Sequence, residues 1–226
     1  MSNPATCWTL LRDAADERDG ARERFARLYL PVVQGYLGQR WRGFGRQEDI
    51  EDASQQVLLE CIRPDGALQN APERAERGFR AYLYGVTANV ARRLEESRRD
   101  RRVRQAEDSA VVHGLEASDD PASAVFDRGW ATALAREAGE RHRSSADPGD
   151  ERSVRQVRLL ELRFGEGLPI REIAARWGAD PAELHHEYAT ARKRYLACLR
   201  EVIRFHHPDS PKGAERELED VLATLG

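Results

Sequence analysis

Apolar residues in this chain return every three or four positions. The strict alternation that marks a half-buried strand is nearly absent. An all-α fold is the expectation. Two blocks carry the periodicity, residues 21–96 and 122–205, and they predict two small helical domains. Residues 1–20 form an N-terminal extension. The stretch 97–121 begins basic (RRDRRVR), turns acidic (EASDD), and is predicted to be a linker. RSSADPGDE at 143–151 predicts a loop between helices. Past Arg204 the breaker cluster FHHPDSPKG precedes a short helical stretch, AERELEDVLATL, so that 206–226 forms a C-terminal tail.

The C-terminal block holds a helix-turn-helix pattern. Ile170, Ile173, Ala174 and Trp177 make one apolar helical face, and Gly178 follows where a left-handed residue ends a helix. Asp180 is placed to cap the next helix, Pro181 suits its first position, and Glu183 stands where a capping box wants an acid. Leu184, Tyr188, Ala191, Tyr195, Leu199 and Val202 then form a sustained stripe. At about 100° per residue the other face of that second helix carries His185, His186, Ala189, Thr190 and Lys193, flanked by Arg192 and Arg200. Those side chains suit base edges and phosphates in a major groove. The same pattern also fits a solvated face on an ordinary helical hairpin.

In the N-terminal block EDIEDASQQVLLECIR reads as one helix. Ile50, Ala53, Val57 and Cys61 share its buried side, while Asp49, Asp52, Gln56 and Glu60 line another and Leu59 points outward. Acids around an exposed leucine fit docking on a basic partner helix, and equally a plain solvated face. In GFRAYLYGVTANVARRLEESRRDRR, Phe79, Leu83, Val86, Val90 and Leu94 form the core side. Tyr82, Gly85, Asn89, Arg92 and Arg93 lie on a flank, and arginines follow at 98, 99, 101, 102 and 104. Asparagine for base edges, tyrosine for stacking and arginine for phosphate suit single-stranded nucleic acid. A basic helix end complementing its own dipole gives the same sequence.

Composition changes this picture little. The net charge is -3 and the pI about 6.1, which argues mildly against nucleic acid for the chain as a whole. All but two of the 36 basic residues, Lys193 and Lys212, are arginine, the side chain suited to phosphate and base edges, although arginine-rich coding gives the same excess. Cys7, Cys61 and Cys198 are far apart and unpaired in sequence; no disulfide framework or metal site is expected, and Cys61 and Cys198 suit small core positions. No cofactor and no catalytic centre is expected: there is no phosphate-cradling glycine loop and no HExxH. The pairs His185-His186 and His206-His207 diverge by about 100° on a helix. No apolar run approaches the roughly 20 residues of a membrane span and no leader pattern opens the chain, so no membrane association and a cytoplasmic location are expected.

Taken in order, these segments resemble the extracytoplasmic-function branch of the sigma-70 family of RNA polymerase sigma factors. FARLYLPVVQGYL is similar to the opening helix of the family's first domain. DIEDASQQVLLECIR resembles its polymerase-binding helix, and FRAYLYGVTANVARRL its promoter-reading helix. LPIREIAARWGADPAELHHEYATARKRYLACL resembles the terminal helix-turn-helix, and the whole resemblance covers about two-thirds of the chain. It implies a non-enzymatic initiation factor with two helical modules. The first (21–96) would grip core RNA polymerase through Asp49, Asp52, Gln55, Gln56, Leu59 and Glu60. It would read the melted minus-ten strand, with Asn89 on the family's strand-contacting asparagine, Arg93 one turn on, and Tyr82 and Arg92 beside them. The loop from Pro64 to Gly78 would capture a flipped-out base, and 97–121 would thread toward the RNA exit path. The second module (122–205) would read duplex minus-thirty-five DNA through His185, His186, Ala189, Thr190, Arg192 and Lys193. An anti-sigma factor is a further partner class that the resemblance admits.

Two departures are chemical. Gln56 stands where the family usually has glutamate, and His185, His186 and Glu187 stand where lysine, serine and arginine are frequent. The tail and the long helix holding Trp130 exceed the minimal pattern; they fit either a regulatory role or packing against the second domain. The rival readings are a stand-alone helix-turn-helix regulator that never touches polymerase, and a sigma-like adaptor held by a protein partner.

Overall fold

The computed structural model describes residues 6–18, 20–63, 78–106 and 121–225, with backbone alone for 101–106 and 121. The described residues are all-helical, as the periodicity required. The helices are α1 (Cys7–Ala15), α2 (Ala21–Arg40), α3 (Gln47–Ile62), α4 (Gly78–Ala106), α5 (Pro121–Ser144), α6 (Glu151–Leu160), α7 (Ile170–Trp177), α8 (Pro181–His206) and α9 (Pro211–Leu225). A single π-helical turn (Glu161–Gly165) extends α6. The expected base-capturing loop at 64–77, most of the linker (107–120) and the side chains of Arg101, Arg102 and Arg104 lie outside the described residues.

The chain divides into two compact units. One comprises residues up to 133 together with 205–226, and the other comprises 134–204. In the first unit Thr6 starts α1 by accepting from the Thr9 amide at 3.1 Å while its own amide donates to Thr9 Oγ1. Gly20, at φ +67°, turns the chain into α2. The buried faces of α2 (Phe25, Tyr29, Val32, Val33, Tyr36, Leu37), α3 (Ala53, Val57, Cys61) and α4 (Phe79, Leu83, Val90) form the core. Cys7 and Cys61 are fully buried, which pushes both thiols up to about 12. They are small core residues with no thiolate at neutral pH. Ile50 and Leu94, expected in the core, are only half-buried at its margin.

The unit also recruits the start of the second block and the C-terminal tail. The first half of α5 lies on α2 and α4. Trp130 stacks on Tyr29 with centroids 5.9 Å apart, and Phe126 meets Tyr36 and Tyr84 edge-on. A Cβ added at Gly129 would stand in ordinary contact, 3.5 Å, with the Val32 backbone, which shows how near the two helices lie. The C-terminal helix α9 buries Ala214, Leu218 and Val221, and its Glu217 accepts a 2.7 Å hydrogen bond from Trp130 Nε1. The same carboxylate lies 3.5 Å from Arg80 of α4 and 3.5 Å from His207. The tail and Trp130 thus pack in the first unit, and the expectation that they pack against the second is corrected. The physical reason is that the aromatic surface and the counter-charge they need lie on α2 and α4.

In the second unit, Leu159, Leu162, Ile170, Ile173, Ala174 and Leu184 form a core edged by Leu168, Trp177 and Tyr188. The loop expected at 143–151 falls between α5 and α6, where Asp150 caps α6 by accepting from the Arg152 amide.

Candidate functional site

The helix-turn-helix is built by local rules. Gly178 ends α7 at φ +60°, and the Ala179 amide donates back to the Ala174 carbonyl at 3.0 Å. Asp180 Oδ1 accepts from the Ala182 and Glu183 amides at 2.8 and 3.0 Å, the cap expected from sequence. Leu184, Ala191, Leu199 and Val202 are buried along one side of α8, with Tyr188 and Tyr195 half-buried. On the other side His185, His186, Ala189, Arg192 and Lys193 are exposed. Thr190 is half-buried, its hydroxyl donating to the His186 carbonyl at 3.1 Å. Glu187, the acid that departs from a basic pattern, turns inward. It pairs with Arg155 at 3.0 Å, and that guanidinium lies over the Trp177 ring at 4.9 Å. Its negative charge is therefore matched within the unit. Phe164 on the π-turn is 64% exposed, with its ring 6.3 Å from Tyr188, an apolar feature that sequence did not single out.

In the first unit α3 sets Asp52, Gln55 and Leu59 outward, with Leu59 63% exposed, while Asp49, Gln56 and Glu60 are half-buried, Asp49 and Glu60 against α4. Asp49 also accepts from the Arg46 amide at 3.1 Å at the start of α3. On α4, Asn89, Arg92 and Arg93 are exposed, and Arg92 donates to Asn89 Oδ1 at 3.1 Å. A Cβ at Gly85 would meet nothing within 4 Å, so the face is open there. Tyr82 does not belong to it. Its ring is 3% exposed, packed edge-on against Trp8, and its hydroxyl donates to the Cys61 carbonyl at 3.1 Å. Tyr82 is a core residue. Sequence put it on a flank because α1, which supplies Trp8, has no visible partner in the linear pattern.

Ion pairs join the two candidate surfaces. Arg93 meets Glu60 at 3.0 Å and Arg98 meets Asp49 at 2.9 Å. Arg98 also lies over the Trp41 ring at 4.7 Å. Behind it Glu95 accepts two hydrogen bonds from Arg40, at 2.7 and 2.9 Å, and one from Trp41 Nε1 at 2.8 Å. Burial disfavours the Glu95 carboxylate. The hydrogen bonds from Arg40 and Trp41 and the charges of Arg40 and Arg98 outweigh it, holding the carboxyl below its usual value. These pairs span tens of residues, and no local spacing signals them.

Among the described residues no cluster of histidine, cysteine, aspartate or glutamate could hold a metal ion, and no helix is long and apolar enough to cross a membrane. No protein-family model and no curated protein matches the chain.

Proposed function

We propose that this chain is a sigma factor of RNA polymerase. It would bind core polymerase and direct it to promoters, assist melting, and perform no covalent chemistry. The observation that carries the reading is the pairing of surfaces on α3 and α4. An exposed leucine among acids suits a basic protein partner, and beside it stands an exposed asparagine–arginine face suited to an unpaired strand. A capped helix-turn-helix elsewhere in the chain supplies a surface for duplex DNA.

In this mechanism Asp52, Gln55, Gln56 and Leu59 anchor polymerase, with Asp49 and Glu60 at the edge of the contact. The α8 face of His185, His186, Ala189, Thr190, Arg192 and Lys193 docks on the duplex. Asn89 then reads a base edge of the separated strand while Arg92 and Arg93 neutralise phosphates. With Tyr82 in the core, stacking has no aromatic donor on the described part of this face, so strand capture there rests on hydrogen bonds and charge.

Two measurements on the purified full chain test the proposal. Core RNA polymerase should be retained by the immobilised chain at low salt, and the resulting holoenzyme should give run-off transcripts from a library of genomic fragments. A chain that binds duplex DNA but never polymerase is instead the stand-alone regulator. The capped helix-turn-helix favours that second reading, because it needs no α3 surface to bind DNA.

A further inference from the structure

Glu187 puts an acid on the helix whose exposed face is offered to duplex DNA, where a carboxylate beside phosphate would repel it. We propose that Arg155 of α6 is a positioning residue for duplex binding. It holds the Glu187 carboxylate against Trp177 and so keeps that charge from opposing DNA on the neighbouring face of α8. The inference rests on the helix-turn-helix binding duplex, which the sigma-factor and stand-alone readings share, and needs no polymerase.

Helical register leaves Glu187 at the border of two faces. Leu184, three residues before it, and Ala191, four after it, are buried; His186 beside it is exposed. A long side chain at such a border can turn either way, and Arg155 decides the direction. Arg155 Nε lies 3.0 Å from Glu187 Oε2, where the Glu187 side chain is 21% exposed and that of Arg155 is 41%. The guanidinium is fixed on its other side by the Trp177 ring, whose centroid is 4.9 Å away. Trp177 in turn packs on the core of Leu159, Ile173 and Leu184. The arrangement therefore draws on α6, α7 and α8 at once. A planar guanidinium stacks on the ring with its face and donates to the carboxylate with its edge, which a compact ammonium cannot do together.

Glu187 forms no other ion pair among the described residues. Without Arg155 its carboxylate gains most by turning to water, on the side where Arg192 and Lys193 are exposed. There it offsets the attraction those two residues exert on phosphate. Both partners of the pair are partly exposed, so the expected change in duplex affinity is modest, about three- to fivefold.

The test measures binding of a fluorescent mixed-sequence DNA duplex to the full chain at low salt, with a thermal melt of every variant. Arg155→Gln removes the residue that holds Glu187. Arg152→Gln removes the same charge from an exposed arginine of α6 that forms no ion pair among the described residues, and leaves its backbone amide to the Asp150 cap. Arg155→Gln should bind about three- to fivefold more weakly than Arg152→Gln. Both are then repeated with Glu187→Gln, and there the difference should vanish, because no carboxylate is left to release. Equal binding of the two arginine variants while Glu187 is present overturns the inference. So does a difference of the same size with and without Glu187, which is the loss of a basic side chain and nothing more. Affinities that follow the melting temperatures across the set mark a structural role for Arg155 and overturn it as well. If the unaltered chain binds no duplex, the helix-turn-helix reading itself fails and takes the inference with it.

Discussion

The two units build their exposed candidate faces by opposite means. In the second unit the α8 face is set by neighbours in sequence: a left-handed glycine, an aspartate cap and one apolar stripe, all within 170–202. Arg192 and Lys193 form no ion pair there among the described residues. In the first unit the corresponding face is held by partners far apart in the chain: Arg40 with Glu95, Arg98 with Asp49, Arg93 with Glu60, and Arg80 with Asp127 and Glu217. The lesson is that a local device gives a permanently presented surface. A long-range charge network instead gives one that depends on residues far away in the chain being folded together.

That contrast breaks most sharply at Glu217. The residue is 7% exposed and serves Trp130, Arg80 and His207 at once. Glu217→Ala leaves the buried Trp130 indole N–H without its acceptor and removes one of the counter-charges of Arg80, which keeps Asp127. It should lower the stability of the first unit by about 2–4 kcal/mol, read as an earlier thermal transition. If the melt does not change, the network is ornamental. Asp52→Arg comes next. It should weaken polymerase retention by about 2–3 kcal/mol, roughly a hundredfold, while helicity by circular dichroism stays the same; undiminished retention argues against the α3 assignment. Asp180→Ala, by contrast, removes one local cap and should cost the second unit about 1 kcal/mol, with duplex binding falling and polymerase retention unaffected. The smallest effect distinguishes reading from gripping. Asn89→Ala should reduce promoter opening, followed by permanganate reactivity of unpaired thymines, and leave polymerase retention intact.

Acid sharpens the comparison further. Burial opposes ionisation of Glu217, but its hydrogen bond with His207, the charge of Arg80 and the Trp130 hydrogen bond together hold its carboxyl below the ordinary value. Glu95 is held low in the same sense, by Arg40 and Trp41 against burial. A carboxyl depressed in the folded state contributes stability that is complete above its unfolded value and is lost as pH falls through the folded one. The first unit should therefore lose stability on acidification below the ordinary carboxylate range, and Glu217→Gln should flatten that dependence. The second unit, lacking such a hub among the described residues, should respond less. Equal acid sensitivity of both units would remove the distinction.

How much was legible in the sequence follows the same division. The turn at Gly178, the cap at Asp180 and the α8 stripe were all visible, because each is a relation between residues a few positions apart. The α3 face was visible for the same reason, and Leu59 is exposed as its register demanded. Tyr82 was misplaced because helical phase shows which side of a helix a residue occupies, while α1 covers that side with Trp8. Trp130 and the tail were assigned to the wrong neighbours because their partners, Tyr29, Arg80 and Glu217, meet only in the folded chain. Glu187 reads as a loss of DNA attraction until Arg155 is seen against it.

Because α9 completes the first unit, its packing closes only after residues as late as Val221 are in place. A ribosome that has delivered the whole of α1 to α4 has still not supplied Glu217, the acceptor for Trp130 and Arg80. Contacts so distant in sequence form slowly, so the nascent chain should gain a fully settled first unit only after α9 has been synthesised. A translation product that stops before α9 would then compete poorly for any partner of that unit.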